Sequence, residues 1–174
     1  MNESLERETR FRRFVETHRS QAVGFAWRLL GRDAEAAEDV AQQAFMRAWR
    51  GLDGFRGDAE LSTWFYRILV RQVRSHQRRM GVRRRWAAMT GAVVELPVSP
   101  MEPDAGLRKR IAEALSALSA GQREAFVLIH LEGLTITETA EVLGRAPGTI
   151  KSHLHRALRS MRSTLGDLKE AGDE

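Results

Sequence analysis

The sequence predicts an all-α fold: two small helical domains joined by a flexible, Pro-containing linker, the second of them a helix-turn-helix. Three observations carry this prediction. Good helix formers dominate the chain, while runs of β-branched and aromatic residues are scarce. Apolar residues recur at helical spacing through two long blocks. Between those blocks lie three of the four prolines, Pro97, Pro100 and Pro103. The expected division is a first domain at 1–80, a linker at 81–106 and a second domain at 107–174.

Composition bounds the function. With 43% hydrophobic and 29% charged residues over 174 positions, the chain can build a core and keep a solvated surface. Its net charge of +5 points to an anionic partner. The absence of cysteine excludes disulfides, thiol catalysis and Cys-ligated zinc. The charged start, MNESLERETRFRR, is not a signal peptide, and no apolar run approaches the ~20 residues of a membrane span. The expected location is the cytoplasm.

Taken in order, residues 1–10 are polar and expected to fray. A first helix then follows at 11–30, with Phe14, Val15, His18, Ala22, Phe25, Ala26, Leu29 and Leu30 on its apolar side. Gly31 stops it and Asp33 caps a second helix reaching about Arg50. That helix buries Ala37, Val40, Ala41, Ala44, Phe45 and Ala48, with Trp49 at the border. Its opposite face carries Asp39, Gln42, Gln43, Met46 and Arg50. Met46 on that polar face reads most simply as an ordinary exposed methionine.

Residues 51–60 form a Gly/Asp-rich loop holding Phe55, Arg56 and Asp58. Ser62 or Thr63 is placed to cap a third helix from Trp64 to about Arg79, with Leu61, Phe65, Ile68, Leu69 and Val73 on its apolar side. Arg67, Arg71, Arg74 and Arg78, spaced 4, 3 and 4, form one stripe on the other side. From 61 to 94 there is no Asp or Glu, while Arg79, Arg83, Arg84 and Arg85 add to the positive charge. With no carboxylate in the helix, an external polyanion such as a phosphate backbone is the natural counterpart. Phe65 belongs to the core. Trp64, Tyr66 and Phe55 either stack on unpaired bases or pack inward, and spacing alone does not choose.

Within the linker, a short helical start is expected around 83–89. The second domain then reads as four helices, at 107–118, 120–132, 137–143 and from 147 to about 165, followed by a fraying tail. Ser119 caps the second of these, which carries Ala125, Phe126, Leu128, Ile129 and Leu131. Thr135 or Thr137 starts the third, with Ile136, Ala140 and Leu143 inward, and Gly144 permits the left-handed residue that ends it. Pro147 opens the last helix. There Ile150, Leu154, Ala157, Leu158 and Met161 make the apolar stripe, so that Lys151, Ser152, His155, Arg156 and Arg159 face outward. The span from Thr137 to Arg156 is the layout of a helix-turn-helix, whose second helix enters the major groove. Lys151 and Arg156 suit guanine O6 and N7, and Ser152 several bases. Thr149 and the free N–H groups at the helix start suit a phosphate.

The stretch AEDVAQQAFMRAWRGLDGFRGDAELSTWFYRI and the stretch LSAGQREAFVLIHLEGLTITETAEVLGRAPGTIKSHLHRALRSMR together resemble the small two-domain bacterial RNA polymerase sigma factors of the extracytoplasmic-function (ECF) class. The resemblance covers about 11–165. It implies a transcription initiation factor that binds core RNA polymerase and directs it to promoters. Asp39, Gln42, Gln43, Met46 and Arg50 would meet the clamp helices of the largest subunit, making Met46 an adaptable contact. The loop bearing Phe55, Arg56 and Asp58 would hold a flipped non-template base of the minus-10 element. Trp64, Arg67, Arg71, Arg74 and Arg78 would face the opening strand. Thr149, Lys151, Ser152, His155 and Arg156 would read minus-35 in duplex DNA. The linker would thread toward the polymerase active-site and RNA-exit region, and an anti-sigma factor, often membrane-bound in this family, would hold the protein inactive. Two positions depart from the pattern: Arg71 stands where relatives often have Asn, and Gln43 where they commonly have Glu.

Rival functions fit less of the chain. An enzyme needs converging polar groups, yet the histidines His18, His76, His130, His153 and His155 are scattered. No catalytic residue, metal site, cofactor or small-molecule substrate is expected. A dimeric helix-turn-helix regulator explains the second domain but leaves the arginine helix without a role. A sigma-like decoy that only binds an anti-sigma protein has no need of Lys151, Arg156 or the arginine stripe.

Overall fold

The computed structural model describes residues 2–55, 57, 60–90 and 105–170. The chain divides into two compact units, residues 1–97 and 98–174, and among the described residues the regular structure is entirely helical.

The first unit packs three helices, α1 (Asn2–Leu29), α2 (Ala34–Gly51) and α3 (Leu61–Thr90), with a 3-10 turn (Leu52–Gly54) after α2. Helix α1 begins nine residues earlier than its apolar periodicity indicated, because polar contacts support its first turns. The Thr9 hydroxyl bonds the Leu5 carbonyl at 2.8 Å and Arg12 pairs with Glu8 at 2.9 Å. Arg7 pairs with Asp53, after α2, and its guanidinium lies 5.6 Å from the Trp49 ring. Asp33 caps α2 as its position indicated, accepting the Ala36 N–H at 2.9 Å.

Aromatic rings centre this core. Phe25, Phe65, Val40, Leu69, Val70 and Val73 are fully buried. Phe45 of α2 stacks on Phe65 of α3 at 4.4 Å, and Phe14 of α1 meets Phe65 edge-on at 5.5 Å. Each such pair adds roughly 0.5–1.5 kcal/mol beyond the apolar area it buries. His18 takes a structural part, its ring stacked on Phe14 at 4.1 Å. The Gln77 amide bonds the Leu29 carbonyl at the end of α1, at 2.9 Å, fixing the middle of α3.

Helix α3 differs from its expected bounds at both ends. It starts at Leu61, with the Trp64 N–H on the Glu60 carbonyl, so Ser62 and Thr63 lie in its first turn rather than capping it. It then runs past Arg79 to Thr90, with Ala87 buried. The first ten residues expected as linker therefore continue this helix. The prolines at 97, 100 and 103 and the acids Glu95, Glu102 and Asp104 lie outside the described residues.

The second unit comprises α4 (Ala105–Ala117), α5 (Ala120–Phe126), α6 (Ile136–Leu143) and α7 (Pro147–Glu170). Helix α5 continues as a π-helical turn, Val127–Leu131, where a uniform α-helix to 132 was expected. The wider winding leaves Leu131 46% exposed while Val127 and Leu128 stay buried. Two reciprocal caps define helix starts. Gln122 accepts the Ser119 N–H at 3.1 Å, and Glu138 accepts the Thr135 N–H at 2.7 Å while Thr135 Oγ1 receives the Glu138 N–H. Thr135 rather than Thr137 is thus the cap of α6. The Arg123 guanidinium donates to the carbonyls of Leu115, Ser116 and Leu118 at 2.7, 2.8 and 3.1 Å, closing the C-terminal end of α4. Helix α7 packs against α4, α5 and α6 and runs to Glu170, beyond the expected end near 165.

Candidate nucleic-acid interface

In the second unit, Gly144 ends α6 with φ +63° and ψ 44°, a left-handed conformation that a Cβ would strain. Three residues later Pro147 begins α7. Ile150 and Ala157 are fully buried and Met161 nearly so, which fixes the rotation of α7. Leu154 and Leu158 are half-buried. The other side carries Thr149, Lys151, Ser152, His155, Arg156 and Arg159, all exposed. A row of polar side chains at the start of a helix held by such a turn can enter a major groove and meet base edges. Arg159 donates to His155 Nε2 at 3.1 Å, so those two act together.

One detail of the helix start changes. The Thr149 and Ile150 N–H groups both bond the Ala146 carbonyl, at 2.9 and 3.2 Å, so neither is among the free N–H groups expected at the helix start.

Spacing alone missed Arg145, in the turn just before Pro147. Its guanidinium is exposed and donates to His153 Nε2 at 3.0 Å. His153 in turn lies against Gly121 of α5, where an added Cβ would sit 3.1 Å from the ring. Burial, with Arg145 and Arg156 nearby, holds the His153 pKa below the usual imidazole value, against an opposing pull from Glu124. The neutral ring accepts from Arg145, and the turn is tied to the recognition helix. A basic residue between the helix-ending glycine and the proline is the signal that could have found it.

In the first unit, the outer face of α2 presents Asp39, Gln42, Met46 and Arg50 exposed, with Gln43 half-buried. The Gln43 amide donates to Asp39 at 3.0 Å. Met46 is 47% and Trp49 39% exposed, giving this polar face an apolar centre. Trp49, read from the sequence as a border residue, meets Phe11 in a tilted contact with ring centroids 5.3 Å apart and stays partly in solvent.

On α3, Arg71 and Arg78 are exposed and Arg67 and Arg74 half-buried. No carboxylate belongs to this helix. Phe55 and Trp64 are both half-buried, with rings 5.3 Å apart, so the loop and the start of α3 share one aromatic step. Tyr66 is removed from the stacking candidates: it is 5% exposed and packs edge-on against Phe25 at 5.4 Å. Its position two residues after Trp64 turns it toward α1. Arg56 and Asp58 lie outside the described residues. Among the described residues no group of His, Asp and Glu is arranged to hold a metal ion, and no helix is long and apolar enough to cross a membrane.

Comparison with known proteins gives consistent matches. Residues 14–83 match the family model described as Sigma-70 region 2, and residues 108–161 that described as Sigma-70, region 4. The chain is 34% identical over 142 residues to the ECF RNA polymerase sigma factor SigM of Mycobacterium tuberculosis, covering 81% of this chain and 70% of that one. It is 28% identical over 169 residues to the ECF RNA polymerase sigma factor SigW of Bacillus subtilis, covering 91% and 90%. Among solved structures it resembles the sigma factor RpoE crystallised with the anti-sigma factor NepR from Bartonella quintana. That match has a TM-score of 0.76 and 30% identity, over 90% of this chain and 96% of that one. CnrH in complex with the cytosolic domain of CnrY matches with a TM-score of 0.66 and 27% identity, over 95% and 91%.

Proposed function

The chain belongs to the sigma-70 family of RNA polymerase sigma factors, in its ECF class, and from that premise we propose how its surfaces divide the work of initiation. It is a promoter-directing factor: it binds core polymerase and brings it to promoter DNA. The polymerase performs the chemistry, and this chain supplies recognition and strand opening in the cytoplasm.

In this reading the α2 face around Met46 seats on the clamp helices of the largest polymerase subunit. Asp39, Gln42, Gln43 and Arg50 surround the apolar contact that Met46 and the exposed part of Trp49 supply. Trp64, with Phe55 against it, stands where the strands part. Arg67, Arg71, Arg74 and Arg78 neutralise backbone phosphates of the opened non-template strand, and Arg56 and Asp58 complete the loop that takes a flipped base. In the other unit Lys151, Ser152, His155 and Arg156 read the minus-35 duplex, while Thr149 and Arg145 meet its phosphates. Gln43 keeps this polymerase face polar but removes one ionic contact that a glutamate would make. Arg71 adds a phosphate-binding charge where an amide would read a base.

The observation that carries this reading is the pairing of two different DNA-facing surfaces in one chain. One is an exposed recognition helix suited to base edges. The other is a carboxylate-free arginine helix beside an aromatic step, suited to a single strand. A repressor needs only the first. The RpoE and CnrH structures contain anti-sigma partners, and control by such a partner is part of the proposal here.

The test is run-off transcription with core polymerase on the promoter upstream of the protein's own operon, comparing Lys151→Ala with Arg71→Ala. Lys151→Ala should relax base preference at minus-35 by ~1–3 kcal/mol if its contact is bidentate. Arg71→Ala should slow open-complex formation and leave minus-35 preference intact. Failure of the wild-type protein to stimulate initiation, or equal relaxation at both elements from either substitution, would overturn the assignment.

A further inference from the structure

The turn between α6 and α7 fixes the backbone of Arg145 and leaves its side chain to be placed by tertiary contact. The Arg145 N–H bonds the Ala140 carbonyl at 3.0 Å, closing the end of α6, and Pro147 begins α7 two residues later. The exposed guanidinium sits on a long side chain that is costly to order. Its Nη1 donates to His153 Nε2 at 3.0 Å, and its remaining N–H groups stay available for a phosphate.

The His153 ring is itself held by Gly121 of α5. A Cβ at Gly121 would lie 3.1 Å from Cε1 and 3.2 Å from Nε2, the edge of the ring that accepts Arg145. Gly121 has no positive φ and lies in the first turn of a helix, where alanine is the more favourable residue. Its backbone does not call for glycine; the ring needs the space. An accepting Nε2 assigns the ring proton to Nδ1, which is buried without a partner. The charged groups around the ring are Arg145 in the turn, Arg156 on α7 itself and Glu124 on α5. A second proton would occupy the Nε2 lone pair and set a cation beside two arginines, against the pull of Glu124, so acid detaches Arg145.

We propose that His153 is a positioning residue: its neutral ring, seated against Gly121, holds the Arg145 guanidinium in place for a backbone phosphate of the minus-35 duplex. The charge is set before the DNA arrives, which spares the cost of ordering it on binding. His153 thus acts through Arg145 and does not itself touch the duplex. The inference rests on the reading that the second unit binds that duplex.

The test is equilibrium binding of holoenzyme, assembled from the full-length protein and core polymerase, to the promoter upstream of its own operon across a salt series. Losing one phosphate contact lowers the slope of log K against log salt by about 0.9. Arg145→Ala should lower it by that amount at pH 7.5. His153→Ala leaves every charge in place at that pH, yet should lower the slope equally, and the double variant should fall no further. Gly121→Ala, remote from the DNA-facing side chains, should do the same by displacing the ring. His153→Gln, whose Oε1 can accept where Nε2 did, should restore the slope. Between pH 7.5 and 5.5 the difference between wild type and Arg145→Ala should shrink, while in the His153→Gln background it should persist. Nitrogen-15 NMR of the full-length protein without DNA should show the Nδ1–H tautomer at His153, and Arg145→Ala should lose that preference. An unchanged slope in His153→Ala where Arg145→Ala lowers it, or additive losses in the double variant, would overturn the positioning role and leave the duplex reading standing. A slope that Arg145→Ala does not alter would remove the phosphate contact and the proposal with it. Failure of wild-type holoenzyme to bind the promoter would sink the promoter reading first, and the unchanged tautomer would mark that failure as separate.

Discussion

Arg123 offers a decisive perturbation of the minus-35 unit. Its guanidinium donates to three carbonyls at the end of α4, two of them partly buried, at Leu115 and Leu118, and one exposed, at Ser116. Ser116 lies in the last turn of α4, where carbonyls lack helical partners, Leu118 lies just past its end, and the Leu115 carbonyl also accepts the Leu118 N–H at 3.2 Å. A hydrogen bond from a charged donor contributes about 1.5 kcal/mol or more in a partly buried setting, and much less when exposed. Arg123→Met keeps much of the side-chain volume, removes all three bonds and should destabilise the second unit by about 3 kcal/mol. With a slope of about 1 kcal/mol per molar urea for a unit this small, its midpoint should fall by about 3 M. The distribution of chromophores makes the assay specific. Trp27, Trp49, Trp64 and Trp86 all lie in the first unit, and the second has none. Tryptophan emission therefore reports the first unit alone, whereas circular dichroism at 222 nm reports both. Arg123→Met should open an early circular-dichroism transition without moving the emission midpoint, and Arg123→Lys, which keeps one donor group, should lie between. Equal movement of both signals, or no movement of the dichroism, would refute the reasoning.

Two further outcomes are expected. Met46→Glu sets a charge at the apolar centre of an exposed face; the unfolding free energy from urea titration should stay within about 0.5 kcal/mol of wild type, while affinity for core polymerase drops at least tenfold in a pull-down titration. Acid should weaken the second unit in a particular window. The folded His153 ring holds its pKa low, so the unfolded chain takes up a proton first as pH falls below about 6.5. Stability from this group is fully present above that value and declines below it until the folded ring protonates. The circular-dichroism midpoint should therefore fall between pH 7 and 5.5, and His153→Gln should flatten that slope; an unchanged slope would remove His153 as its source.

The sequence by itself determined the elements and their inward faces. In α2 the spacing of Ala37, Val40, Ala41, Ala44, Phe45 and Ala48 leaves one possible buried side, so Asp39, Gln42 and Met46 had to face out. On α7 the same elimination exposed Lys151, Ser152, His155 and Arg156. Gly144 and Pro147 marked the turn between α6 and α7 through backbone sterics that need no neighbours. Tertiary structure decided matters set by contacts distant in sequence or by hydrogen-bond register. Tyr66 and Trp64 look alike as candidates for base stacking, but Phe25, more than thirty positions away, draws Tyr66 into the core. The early turns of α1 are polar and gain support from Arg7 meeting Trp49 near the end of α2 and Asp53 just after it. Ala87, buried at the far end of α3, helps carry that helix ten residues into the stretch that the prolines at 97, 100 and 103 marked as linker. Arg145 gained its place from His153 and Gly121. Local sterics and periodicity are written along the chain; which of two equivalent side chains is covered depends on what the fold brings to it.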